Sequence, residues 1–70
     1  MQQIKIGDLV KINSIPGLYK NGEWTSEFSK NLYSEDVNKH FEVIQVESGY
    51  IKLANMPLGF GPNDLEIVNG

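Results

Sequence analysis

Seventy residues make one small domain near the lower limit for unassisted folding, because a chain of this size buries only about 60% of the surface its unfolded form exposes. The absence of cysteine excludes disulfides, thiolate metal sites and thiol catalysis. The net charge is −3 and every basic residue is a lysine, at positions 5, 11, 20, 30, 39 and 52, so the chain has neither the arginine fork that phosphate and guanine recognition favours nor the clustered positive charge of a nucleic-acid binder.

No apolar run approaches the roughly 20 residues of a membrane span, and the N-terminus has no signal-peptide pattern. A soluble cytoplasmic protein is expected. No repeat, low-complexity tract or linker divides the chain, so residues 1–70 read as one unit.

The opening segment alternates Ile4, Ile6, Val10 and Ile12 against Lys5, Lys11 and Asn13, the period of a half-buried strand interrupted by a Gly7-Asp8 turn or bulge. Pro16-Gly17 ends it. Asn21-Gly22 is the sharpest local signal, because a type I′ turn requires positive φ at both central residues. A two-residue hairpin there sets Lys20 opposite Glu23 and Tyr19 opposite Trp24, two favourable cross-strand pairs from one register. The hairpin is expected to protrude as part of a long loop after the first strand.

Residues 26–39 remain open between helix and loop. Thr25 or Ser26 fits the cap of a short helix starting at Glu27, with Phe28 and Leu32 four apart, and residues 34–39 fit one turn that is acidic first and basic last. Phe41–Val46 and Tyr50–Asn55 form the clearest sheet. A Ser48-Gly49 turn pairs Val46 with Ile51, Gln45 with Lys52 and Ile44 with Leu53. Glycine-rich residues 56–62 lead to a turn at Pro62-Asn63-Asp64 and a closing strand through Leu65 and Ile67 or Val68. The expectation is an all-β, five- or six-stranded antiparallel barrel in which the first and last strands meet.

This order of elements resembles the SH3-like barrels, especially the small examples found in bacteria, phages and mobile elements. Ile6-Gly7-Asp8-Leu9-Val10-Lys11-Ile12 is similar to their first strand, and Gly59-Phe60-Gly61-Pro62-Asn63-Asp64-Leu65-Glu66-Ile67 to their ending. The resemblance implies that Pro62 starts a single 3₁₀ turn, that Leu65 stands where tyrosine is usual, and that Tyr50 takes the place of the middle-strand tryptophan. The first strand carries no aromatic, so binding of proline-rich peptides is not carried over.

Catalytic chemistry finds little footing. His40 is the one histidine, and an exposed or hydrogen-bonded His40 is favoured over a metal ligand. Glu35-Asp36 reads as a solvated helix start rather than an acid–base pair. No nucleophile elbow occurs, and Gly59-Phe60-Gly61-Pro62 lacks the lysine and following helix of a phosphate loop. No cofactor or metal is implied, and an enzyme is not expected.

The aromatic residues carry what remains. Phe41 and Phe60 are assigned to the core, while Tyr19 and Trp24 on the hairpin are the main candidates for a binding surface, with Tyr33 and Tyr50 as weaker ones. The competing account makes Trp24 a lid on Phe28 and Leu32. The expected function is a non-catalytic protein or peptide interaction module, monomeric rather than oligomeric and without a membrane role. The alternative is a nucleic-acid-associated accessory protein of Tudor or KOW type.

Overall fold

The computed structural model describes residues 3–68 and consists mostly of strands with one short helix. Strand β1 spans Leu9–Ile12, β2 Tyr19–Lys20, β3 Glu23–Trp24, β4 His40–Glu47, β5 Tyr50–Leu53, β6 Gly59–Phe60 and β7 Leu65–Ile67; helix α1 spans Glu27–Tyr33. Two 3₁₀ turns occupy Asp36–Asn38 and Pro62–Asp64. Five strands form one antiparallel sheet in the order β6-β5-β4-β1-β7, and β2 and β3 form a separate ribbon. First and last strands do meet, with Val10 opposite Ile67 and Ile12 opposite Leu65. The sheet is open, however: β6 and β7 are its two edges and share no ladder among the described residues.

The period of two holds in β1, where Val10 and Ile12 are buried between the more exposed Leu9 and Lys11. It fails just before it. Gly7 takes φ 98°, Asp8 N–H donates to the Lys5 carbonyl, and the Asp8 carboxylate accepts from Lys5 N–H at 2.9 Å. This turn buries Ile4 but leaves Ile6 two-thirds exposed, so the two isoleucines do not share a face as alternation expects.

A second departure lies in the β4–β5 hairpin. Val46 pairs with Ile51 and Gln45 with Lys52 as the Gly49 turn dictates, but Leu53 pairs with Val43, and Ile44 is the extra residue of a bulge. Ile44 therefore does not face Leu53, and it stands on the surface while Phe41 and Val43 enter the core. A bulge changes which face each later residue takes without changing the local composition, which is why alternation alone misplaces Ile44.

The core gathers these strands around Phe60, Leu53, Val10, Val43 and Ile15, all essentially inaccessible to solvent. Phe41 and Phe60 are both buried, as expected. Asp64 ties the end of β1 to the start of β7. Its carbonyl accepts from Asn13 N–H and Ser14 N–H, one carboxylate oxygen accepts from Ser14 Oγ at 2.5 Å, and the other accepts from Gly61 N–H at 2.9 Å. No helix among the described residues is long and apolar enough to cross a membrane.

Candidate functional site

The segment between β1 and β4 builds the site from local rules. Ile15-Pro16-Gly17-Leu18 is a turn closed by Leu18 N–H donating to the Ile15 carbonyl at 2.9 Å, with proline in its second position and Gly17 at φ 79°, as a type II turn requires. It delivers the chain into β2. Asn21 (φ 54°) and Gly22 (φ 81°) then reverse it, and the register is the one the sequence predicts, Lys20 opposite Glu23 and Tyr19 opposite Trp24. Thr25 closes the base of the ribbon: its N–H donates to the Leu18 carbonyl and its hydroxyl lies 3.0 and 3.2 Å from the Gly17 and Leu18 carbonyls.

That register brings the two rings together, with centroids 4.5 Å apart and planes tilted by 41°. Such a pair contributes about 0.5–1.5 kcal/mol beyond its buried area. Both rings are half-buried, each packing one side on the margin of the core. Each ring also borders an open cleft. Tyr19 and Lys20 line one of about 460 Å³ that extends over Ile15, Pro16 and Asp64. Trp24 lines the other, of about 590 Å³, with Glu23, Ser26, Glu27 and Lys30.

Ser26, not Thr25, caps the helix: its Oγ accepts from Ser29 N–H at 3.1 Å and donates to Ser29 Oγ at 3.0 Å. The inward face of α1 carries the buried Ser29, and half-buried Tyr33 packs on the core margin. Phe28 and Leu32 point the other way, 73% and 54% exposed. Trp24 is therefore no lid on them; its ring partner is Tyr19.

The four candidate aromatics divide. Tyr19 and Trp24 are paired, and Tyr33 lies at the last turn of the helix that follows β3. Tyr50 belongs to another sheet, where its ring edge lies so close to Gly59 of edge strand β6 that a Cβ on Gly59 would collide with the ring's Cε1. Its exposure of 41% is that of a ring covering an edge glycine.

A further groove of about 400 Å³ escaped sequence reading. Ile4, Val46, Ile51 and Pro62 give it an apolar lining, with Gln3, Glu47 and Gly49 completing it. Its lining joins residues from separate parts of the sequence, which no local pattern connects. His40 stands exposed at the start of β4, and no group of three or more histidine or carboxylate side chains with metal-binding geometry occurs among the described residues. Asp36 opens its 3₁₀ turn and lies 3.8 Å from the Lys39 ammonium.

Comparison of the sequence and fold with protein-family models, with curated proteins and with solved structures gave no match.

Proposed function

We propose that the protein is a non-catalytic interaction module of SH3-like design that binds a protein or peptide partner through the Tyr19–Trp24 ribbon. The strand order β6-β5-β4-β1-β7, with a 3₁₀ turn linking the two edge strands, supports the SH3-like reading. One observation carries the binding reading: two aromatic rings are in tilted contact on a turn-locked ribbon, half-buried at the core margin, and each borders an open cleft. Large rings held in one geometry lose little entropy on contact, which is why tyrosine and tryptophan dominate interaction hot spots.

A peptide selected against the protein from a random display library tests this. Its binding is expected to weaken at least about tenfold in Trp24→Ala and in Tyr19→Ala, the size of a hot-spot truncation. Unchanged affinity in both variants would contradict the assignment. Titration with duplex DNA at about 0.15 M salt is expected to show no binding, since the acidic protein offers few cations for counterion release. Micromolar, salt-sensitive binding would shift the reading to a nucleic-acid accessory protein.

A further inference from the structure

The turn that orders the ribbon is also a reactive dipeptide. Asn21 and Gly22 are both exposed, and nothing lies within 4 Å of the position a Cβ on Gly22 would take. In an Asn-Gly pair the glycine backbone nitrogen, unhindered by a side chain, attacks the asparagine Cγ. A new N–C bond closes a succinimide, the bond between asparagine Cγ and Nδ2 breaks, and the amide nitrogen takes up the proton lost from the glycine N–H, by way of water, and leaves as ammonia. Water then opens the ring at either carbonyl and yields aspartate or isoaspartate. Ammonia is lost, water is gained, and no oxidation state changes.

The folded hairpin opposes the first of these steps. With φ of 54° and 81° the two residues have the type I′ pattern, whose first central residue has ψ near about +30°. That rotation turns Gly22 N away from the Asn21 side chain, whereas ring closure needs the two brought nearly eclipsed about the Asn21 Cα–C bond. Attack therefore requires the turn to open. The two products differ in their effect on the turn. Aspartate restores an Asp-Gly turn, which suits the same geometry. Isoaspartate routes the backbone through the former side chain and adds a methylene between Cα of residue 21 and Gly22 N. A two-residue loop can no longer close, and the Tyr19–Trp24 register is lost with it.

We propose that Asn21 is a covalent modification site gated by its own hairpin: succinimide chemistry proceeds from the open turn, and the isoaspartyl product then holds the ribbon open. The chemistry needs no partner and stands apart from the binding reading above.

The test is site-resolved peptide mapping of the native protein during incubation near neutral pH, beside a capped synthetic Lys-Asn-Gly-Glu peptide. Asn69-Gly70 is the second such pair in the sequence and is quantified separately. Conversion at Asn21 is expected to run at least about tenfold slower in the protein than in the peptide, as a closed population governed by local opening dictates. Equal rates would overturn the gate. Tyr19→Ala, with β4–β5 amides still protected from hydrogen exchange, is expected to convert about fivefold faster than the wild type, and an unchanged rate would contradict the proposal. If that variant fails to fold, the comparison of native protein with peptide still decides. The isolated isoaspartyl form is expected to lose the near-ultraviolet dichroism of the ring pair, and its retention would overturn the opened product.

Discussion

Gly59 and Tyr50 illustrate how much one side chain's position settles at the residue scale. Gly59 leaves a gap in a short edge strand, and the Tyr50 ring fills the space a Cβ would need. Gly59→Ala is expected to push the ring off the sheet and cost about 1 kcal/mol, the order of a lost cross-strand contact. In a Tyr50→Ala background the same substitution should be neutral or mildly stabilising, because alanine then only removes glycine's excess backbone entropy. A double-mutant cycle by denaturant unfolding measures this; equal costs in both backgrounds would contradict the packing role. Asp64 is a second such residue. Asp64→Ala removes the acceptors of Ser14 Oγ and Gly61 N–H together, and a loss of about 2–3 kcal/mol is expected in the same measurement.

At the element scale, local rules and long-range packing part company. The hairpin register and the turn at Pro62 were legible because each is fixed within a few residues, by Asn21-Gly22 and by a proline, whereas the hydroxyls of Thr25 and Ser26 offered a helix start at Glu27 without deciding between helix and loop. Ser26→Ala is expected to cost about 1 kcal/mol, as N-cap losses do, and Thr25→Ala to loosen the ribbon base rather than the helix. Amide exchange in α1 and in β2–β3 separates the two effects. The orientation of α1 was not legible. Phe28 and Leu32 offer the apolar spacing of a buried face, yet the small Ser29 is the side chain buried there. Phe28→Ser should therefore change stability by no more than about 0.5 kcal/mol, the usual surface value. The Ile44 bulge was equally hidden, because period-two patterning cannot register one inserted residue.

For the whole molecule, a single core under an open five-stranded sheet leaves the β1–β4 segment as the largest excursion from it. The ribbon rests against that core by one side of each ring, so Trp24→Ala is expected to cost about 2 kcal/mol, less than the roughly 3–5 kcal/mol of a fully buried aromatic. The candidate site was half legible. Tyr19 and Trp24 could be paired from a turn signal alone, while the groove of Ile4, Val46, Ile51 and Pro62 joins distant parts of the sequence that no local pattern connects. The binding claim is tested most directly by mapping amide chemical-shift changes across the protein on addition of a selected peptide. The changes are predicted to centre on residues 18–26 and on the Trp24 indole N–H. Changes centred instead on Ile4, Val46 and Pro62, with residues 18–26 unmoved, would contradict the account.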